Sequence, residues 1–342
     1  MTGKRTPRIT DVAARAGVSP ALVSRLLNGD PSLRIKEEKR RRILDSVEEL
    51  NYVPHSSARA LRRARSGAFG LFLHDLSSPI YYDVIRGAQA AASAADCVLL
   101  FGDTDRLDAG GKVLSSTLAS RRIDGLLVQG GYSTAADAQI LELAERLPTV
   151  VINAKADGAM SSVRLADEAA AALAARHLVE LGHARIGMVA GPRDSETSQR
   201  RENGLRDALQ DAGISVAKNH LVRSSWNADD GVAAMTRLLE ARPRPTAVVV
   251  ANLVVAVGAL TAARRAGVRI PEELSVVAIH DAWFAEHQAP PLTTVRLPLA
   301  ELGRRAIEVL IEQVDGAEPR DVFIPTEPRL VARESTAPSR DS

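Results

Sequence analysis

The pattern of apolar and polar positions divides the chain into a short helical head and a long body in which apolar segments alternate with amphipathic ones. In the body, seven short apolar segments predict buried strands at 70–73, 98–101, 125–128, 149–152, 185–190, 247–251 and 275–279. Short apolar strands that alternate with helices are typical of a parallel sheet covered on both faces. The small and polar residues of 153–164 predict a crossover between two such sheets. We therefore expect an α/β body of two parallel-sheet lobes.

The head begins with two short helices joined by a tight turn. Thr10 is predicted to cap the first helix, and Gly17 lies where that helix must end and the chain must bend. Ser19 followed by Pro20 is predicted to open the second helix, as its N-cap and first helical residue. A third helix is predicted from 35 to 50.

The second helix leaves one polar face outside once its apolar positions face inward. This face is formed by Ala21, Ser24, Arg25 and Asn28, which lie at i, i+3, i+4 and i+7. The third helix is predicted to pack through Ile43, Leu44, Val47 and Leu50. An ordinary helical hairpin would show similar spacing. The layout is nevertheless that of a helix-turn-helix whose second helix enters the major groove of DNA.

Charge supports a separate DNA-binding head. The chain has a net charge of +2, but residues 1–66 hold 15 basic and 7 acidic side chains, so the remainder is acidic. A basic head on a mildly acidic body is expected of a polyanion-binding module.

Composition excludes several other classes of protein. No apolar run reaches the roughly 18 to 20 residues of a membrane helix, and the N-terminal segment lacks the apolar core of a signal peptide. The single cysteine, Cys97, offers neither a disulfide framework nor a metal cluster, which fits a reducing cytoplasm. Gly110-Gly111-Lys112 lacks the other residues of a nucleotide-binding loop. We expect a cytoplasmic protein with no enzymatic activity, cofactor, metal or membrane partner.

The segments DVAARAGVSPALVSRLLNG and NYVPHSSARAL resemble the headpiece of the LacI/GalR family of bacterial transcription regulators. Weaker resemblances follow in LGHARIGMVAGP, SVVAIHD, PPLTTVRLP and RESTAP. The resemblance implies a homodimeric, ligand-responsive regulator, most often a repressor, with a body like periplasmic sugar-binding proteins. The domains it implies are a headpiece (1–50), a hinge helix (51–66), an N-terminal lobe (67–162 with 292–325), a C-terminal lobe (163–291 with 326–338) and a tail (339–342).

The resemblance also assigns the contacts with a palindromic operator. It implies that the hinge helix folds on DNA and that Leu61 wedges between base pairs of the minor groove. Such a wedge kinks the duplex, and the added contacts offset the free-energy cost of the kink. Arg25 can make two hydrogen bonds to a guanine, which discriminates by about 1–3 kcal/mol. The other candidate DNA-binding residues are Thr10, Ser19, Pro20, Ala21, Ser24, Asn28, His55, Ser57 and Ala58.

Polar residues that follow the predicted strands form a candidate effector site, because ligands of open α/β sheets bind beyond the carboxyl ends of the strands. These candidates are His74, Asp75, Gln129, Asn153, Asn252, His280 and Asp281. The resemblance adds Arg201 as the effector-binding arginine, Trp226 as a ring that packs on a sugar, and Tyr81 and Tyr82.

The chain departs from the family where Leu253 follows Asn252 and where His280 precedes Asp281, positions at which the family commonly has aspartate. A sugar or sugar derivative is the expected effector. A ligand with an acidic group, bound by Arg201, Lys155 or His280, stays open. Also open are the sign of regulation and a second class of function, a periplasmic-type binding protein without a DNA role.

Overall fold

The computed structural model describes residues 7–27, 30, 32–52, 65–103, 122–131, 140–142, 144–156 and 158–340. The chain divides into two compact units, Met1–Gly67 and Ala68–Ser342. In the described part of the chain, no helix combines the length and the apolar character needed to cross a membrane.

The described residues of the first unit form three helices, α1 (Ile9–Ala16), α2 (Pro20–Leu27) and α3 (Glu37–Glu49). Gly17 ends α1 with a φ of 65°, and this left-handed conformation is easily adopted by glycine. The predicted cap of α1 is wrong. The helix begins one residue before Thr10, and the backbone N–H of Arg8 donates to the Asp11 carboxylate at 2.7 Å. The Asp11 carboxylate, rather than the hydroxyl of Thr10, therefore accepts a hydrogen bond at the start of this helix.

The start of α2 is confirmed, because it begins at Pro20 and the backbone N–H of Leu22 donates to Ser19 Oγ at 3.3 Å. The three helices share a small apolar core. Its buried members are Val12, Ala13, Ala16, Val23, Leu26, Ile43 and Tyr52.

The predicted packing face of α3 needs one correction. Leu44 is 47% exposed, whereas Ser46 is buried and its hydroxyl donates to the Arg42 carbonyl oxygen. With Ile43 facing inward, the helical period of 3.6 residues turns positions 46 and 47 inward and position 44 outward. The small serine is accommodated because its hydroxyl has a backbone acceptor.

The described residues of the second unit form two six-stranded sheets. The first has the strand order β11-β5-β4-β3-β1-β2, and every strand pair in it is parallel. Its strands are β1 (Ala68–Leu73), β2 (Val98–Asp103), β3 (Gly125–Gln129), β4 (Thr149–Ile152), β5 (Ser161–Arg164) and β11 (Asp321–Phe323).

The second sheet has the order β12-β10-β9-β8-β6-β7, and only its edge strand β12 runs antiparallel. Its strands are β6 (Ile186–Ala190), β7 (Leu221–Arg223), β8 (Ala247–Val250), β9 (Ser275–Ile279), β10 (Thr293–Arg296) and β12 (Arg329–Val331). The described residues of this unit include the helices α4 (Tyr81–Ala94), α5 (Asp167–Glu180), α6 (Glu196–Asp211), α7 (Ala228–Leu239), α8 (Leu253–Arg265) and α9 (Leu299–Val314).

The two-lobed parallel architecture and all seven predicted strands are confirmed. The boundaries between the lobes differ from those predicted. Strand β5 lies inside the segment taken as a crossover, because its serines pair with β4 and β11 rather than forming a loop. Strand β10 pairs with β9 in the second sheet, so the chain returns to the first lobe after Arg296 rather than at 292.

Candidate functional site

The outer face of α2 presents the side chains that the sequence assigned to DNA. Pro20, Ala21 and Arg25 are exposed, and Ser24 is half-buried. Ser19 is exposed at the N-cap of α2, and Thr10 is exposed in the first turn of α1. The other proposed DNA contacts lie outside the described residues: Asn28, His55, Ser57, Ala58 and Leu61.

Arg25 does not extend freely from this face. Its Nε atom donates to Asp30 Oδ2 at 2.8 Å, and its Nη2 atom donates to Ser32 Oγ at 3.2 Å. Ser32 in turn donates its backbone N–H and its hydroxyl to Asp30 Oδ1. The hydrogen bonds from Ser32 and then the guanidinium of Arg25 lower the pKa of Asp30 to about 2, so this carboxylate is ionised at neutral pH.

The second unit contains a cavity of about 390 Å³ between the carboxyl ends of its two sheets. Nine of the eleven proposed effector residues line it: His74, Asp75, Tyr81, Gln129, Asn153, Arg201, Trp226, Asn252 and His280. Both lobes contribute, since His74, Gln129 and Asn153 belong to the first sheet and its loops. The volume suits a small organic molecule.

Tyr82 and Asp281 are the two proposed residues that do not line the cavity. Tyr82 follows the cavity residue Tyr81 on α4 and is therefore turned about 100° around the helix, where it is 68% exposed. Asp281 is buried away from the cavity, and it accepts hydrogen bonds from Thr294, Arg296 and Arg333. Its role is to join β10 to the segment after β12.

Sequence reasoning missed several polar residues of the cavity wall. They are Ser78, Ser195, Thr197, Ser225 and Asn227. Ser195 and Asn227 are the N-caps of α6 and α7, and their side chains accept from backbone N–H groups one turn later. A capping residue just after a parallel strand lies at the ligand edge of the sheet. That signal was available for Ser195, whereas Asn227 follows β7, which was not predicted.

Arg201 is the buried centre of the cavity floor, with only 2% of its surface exposed. Its Nε atom donates to Asp167 Oδ1 at 2.8 Å, Nη1 donates to the Ala251 carbonyl oxygen, and Nη2 lies 2.8 Å from His280 Nε2. Burial alone would raise the pKa of Asp167, but the guanidinium groups of Arg201 and Arg200 hold it below its usual value. The arginine is therefore paired with a buried carboxylate before any ligand binds.

A glycine brings Arg201 to its carboxylate. Gly204 lies three residues after Arg201 on α6, and a Cβ atom there would lie only 2.1 Å from the backbone oxygen of Glu168. The absent side chain lets α6 pack directly on the first turn of α5, where Asp167 begins the helix. Close helix packing is thus a condition for the ion pair.

His280 is buried and neutral. Burial, and then the positive charge of Arg201, lower its pKa to about 3. Because a guanidinium nitrogen can only donate, Nε2 must accept, and the proton of the neutral ring resides on Nδ1. Nδ1 is itself buried and has no hydrogen-bond partner in the described part of the chain.

Backbone strain concentrates at the cavity. Asp75, Asn153 and His280 have φ angles of 53°, 65° and 72°, in the left-handed region that residues other than glycine seldom adopt. Each directly follows, or nearly follows, a strand of the parallel sheets. Strained residues of this kind persist where their surroundings hold them, commonly at ligand sites.

Trp226 supplies an apolar surface. Its indole packs against Gly191, where a Cβ atom would lie only 2.3 Å from the ring. A flat aromatic face beside hydrogen-bonding groups is suited to a sugar or another ring compound.

Hydrogen bonds join the two lobes beside the cavity. The carbonyl oxygen of Asn153, in the first lobe, accepts from Arg200 Nη2 at 2.8 Å and from Thr197 Oγ1 at 3.1 Å. The backbone N–H of Lys155 donates to the Glu196 carboxylate at 2.9 Å. The N-terminal turn of α6 therefore bridges the lobes, and any change in the angle between them alters these contacts.

The described residues contain no cluster of side chains that could hold a metal ion. A helix-turn-helix module and a two-lobed body with a cavity between its sheets, carried on one chain, define a DNA-binding regulator with an effector-binding domain.

Comparisons with known proteins agree with this class. Residues 8–55 match the model of bacterial regulatory proteins of the lacI family, and residues 175–336 match that of the periplasmic binding protein-like domain. The chain belongs to the lacI family of bacterial regulatory proteins, as relatives at least 30% identical over almost its whole length show.

Two curated repressors are similar over almost the whole chain. The HTH-type transcriptional repressor PurR of Klebsiella pneumoniae (strain 342) is 30% identical over 332 residues, which is 96% of both chains. The ribose operon repressor of Haemophilus influenzae (strain Rd) is 32% identical over 335 residues, 95% of this chain and 97% of the relative. Among solved structures, the complex of transcriptional regulator CelR with cellobiose has a TM-score of 0.71 and 29% identity, covering 96% of this chain and 99% of that one.

Proposed function

We propose that this protein is a repressor that binds a palindromic operator as a homodimer and that a small, sugar-like molecule in the cavity controls its affinity for DNA. The observation that carries this proposal is the cavity itself, with a buried arginine and a tryptophan face, in a chain that also has a helix-turn-helix. The names of similar proteins support it, since one regulates a ribose operon and another was solved with cellobiose.

On DNA, α2 lies in the major groove of each half-site. Arg25 donates to a guanine, while Pro20 and Ala21 contribute shape and an apolar contact with thymine. Ser19, Ser24 and Thr10 lie near the backbone, where hydrogen bonds to phosphates fix the register without specifying sequence.

The hinge segment makes the minor-groove contacts in this proposal. Leu61 is the wedge between base pairs, Ala58 packs one turn before it, and His55 and Ser57 lie near phosphates or base edges. Replacing Leu61 by alanine should weaken operator binding and leave effector binding unchanged, and an unchanged operator affinity would remove the wedge from the mechanism.

The charges of the cavity floor favour a neutral effector over an acidic one. Arg201 and Arg200 are balanced by Asp167 and Glu196, with which they form ion pairs. Lys155 does not line the cavity. A carboxylate ligand would therefore lose its hydration without meeting an unpaired cation.

The effector acts by shifting a population of conformations. It stabilises one angle between the lobes, and the two N-terminal lobes of the dimer then change the spacing of the hinge helices. The shift is limited by the difference in effector affinity between the two states. An inducer would bind more tightly to the state with low affinity for DNA, and a corepressor to the state with high affinity, through the same architecture.

The decisive experiment is selection of bound duplexes from a random pool, with and without a library of small metabolites. A palindromic site enriched by the full-length protein supports the proposal, and the metabolite that changes retention identifies the effector and the sign of regulation. Failure to enrich any sequence in any condition would contradict it.

A periplasmic-type binding protein without a DNA role is the alternative. It predicts ligand binding with only weak and sequence-independent retention on DNA. Salt-dependent retention of a specific duplex distinguishes the two, because each phosphate contact adds to the salt dependence of affinity.

The regulator role also implies a protein of the cytoplasm that binds its effector without transforming it.

A further inference from the structure

Asp30 and Ser32, which follow α2 in the chain, hold Arg25 by one edge of its guanidinium group. Nε and Nη2, which form the side edge of this planar group, donate to Asp30 Oδ2 and Ser32 Oγ at 2.8 and 3.2 Å. The outer edge, formed by Nη1 and the second hydrogen of Nη2, is not needed for these contacts. The arginine side chain is 46% exposed, so it remains accessible from outside the headpiece.

The acceptor side of this contact is itself held by hydrogen bonds. The Asp30 side chain is only 12% exposed, and its Oδ1 atom accepts both from the backbone N–H of Ser32 at 2.9 Å and from the Ser32 hydroxyl at 2.7 Å. The backbone N–H of Asp30 donates to the Arg25 carbonyl oxygen at 3.1 Å. These contacts hold the Asp30 carboxylate beside the last turn of α2.

The geometry matches one kind of DNA contact better than another. A guanine presents O6 and N7 side by side in the major groove, and they accept two parallel hydrogen bonds from the outer edge of an arginine. A phosphate contact depends instead on net positive charge. The adjacent Asp30 carboxylate offsets the charge of Arg25 and would repel a phosphate.

We propose that Asp30, assisted by Ser32, is a positioning residue for base recognition, which holds the side edge of Arg25 so that its outer edge meets O6 and N7 of one guanine. The inference rests on the proposed function, because it requires that Arg25 contacts an operator base. A long side chain that is held in its bound geometry loses less conformational entropy on binding.

The test measures specificity at single base pairs rather than affinity alone. The operator enriched by the unaltered full-length protein is compared with all of its single-base-pair variants, for the unaltered protein, Arg25→Ala, Asp30→Asn and Ser32→Ala. Arg25→Ala should lose discrimination of about tenfold or more at one G·C pair in each half-site. Asp30→Asn should lose several-fold discrimination at the same pair and at no other, and Ser32→Ala should lose less.

Two controls separate positioning from a general loss of structure or charge. Asp45→Asn removes the same charge from the exposed surface of α3, and it should leave the discrimination profile unchanged. The double variant Arg25→Ala with Asp30→Asn should show no further loss at the pair than Arg25→Ala alone. An unfolded headpiece would instead lose affinity for all sequences, which circular dichroism of each variant would also detect.

Other outcomes overturn the inference and keep it distinct from the proposed function. If Asp30→Asn retains full discrimination at the pair that Arg25→Ala loses, Asp30 does not position the arginine. If Arg25→Ala weakens every sequence equally, the arginine is a phosphate contact and the inference fails, although the protein remains an operator-binding regulator. If no operator is enriched at all, the proposed function fails with it.

Discussion

The Nη2 atom of Arg201 lies 2.8 Å from Nε2 of His280, inside the floor of the cavity. This contact makes the histidine an acceptor at Nε2 and therefore a donor at Nδ1. The cavity thus contains a neutral ring whose buried Nδ1–H lacks a partner among the described residues. A ligand acceptor that reaches this buried donor would gain binding energy, because an unpaired buried donor costs about 1–3 kcal/mol.

The tautomer of His280 can be observed directly. We expect two-bond nitrogen–proton correlation spectra of labelled protein to contain one neutral imidazole protonated at Nδ1 that does not titrate between pH 8 and pH 5. His280→Gln should remove that signal and leave the other six histidines in place. An imidazole protonated at Nε2, or one that becomes charged in this interval, would contradict the contact with Arg201.

The same residue should make stability depend on pH. Its pKa in the folded protein is lowered to about 3 by burial and by Arg201, whereas an unfolded histidine has a pKa of about 6.5. As the pH falls through 6.5, the unfolded chain gains a proton that the folded protein does not take up, so folding stability is lost. Between pH 7 and pH 5 this loss is about 2 kcal/mol.

Urea unfolding of the unaltered protein and of His280→Gln at these two pH values measures this loss. The variant should lose less stability on acidification, by about 2 kcal/mol, because it lacks the titrating group. Other groups, including the half-buried His177, act in both proteins and cancel in the difference. An equal loss in both proteins would show that His280 does not stay neutral in the folded state.

The sequence was sufficient to place cavity residues that follow apolar strands. His280 comes directly after β9 and Asn252 two residues after β8, and parallel strands bring such positions to one edge of a sheet. The same rule predicted Asp281 in the cavity, and this prediction was wrong. Side chains at neighbouring positions of a strand end point to opposite sides of the sheet. Whether the first or second residue after a strand faces the ligand depends on the local backbone, here the positive φ of His280.

The support beneath Arg201 could not be predicted from local pattern. Asp167 lies 34 residues before Arg201, and the two meet only because α5 and α6 pack closely at Gly204. The short strands β5, β7, β10, β11 and β12 were also missed, since they are half-polar and their pairing is decided by neighbouring strands rather than by their own composition. The pairing of Arg25 with Asp30, five residues apart, was also not predicted.

The two tryptophans allow effector binding to be followed by fluorescence. Trp226 lines the cavity and Trp283 is 75% exposed, so a bound ligand should change the emission of the first and not of the second. Trp283→Phe should keep the response to the effector found by the operator selection, and Trp226→Phe should lose it. Trp226→Ala should also weaken effector binding by about tenfold, the loss expected when a ring face no longer packs on the ligand. A response that survives in Trp226→Phe would place the effector elsewhere.

Replacing His280 by aspartate should change which ligands the cavity accepts. The variant replaces a neutral hydrogen-bond donor by a charged acceptor beside Arg201. Ligands that present a donor to this position should therefore bind more tightly, and ligands that present an acceptor to it should bind more weakly. Thermal shifts with matched sets of neutral, amino and acidic monosaccharides measure the change.

The unaltered protein should respond to neutral sugars and gain nothing from an added carboxylate, because Asp167 already balances Arg201. His280→Asp should shift the response toward amino sugars, whereas His280→Asn, which can still donate and stays uncharged, should keep the original order. Stabilisation of the unaltered protein by acidic sugars alone would show that the paired arginine still selects an anion, and the neutral effector would have to be abandoned.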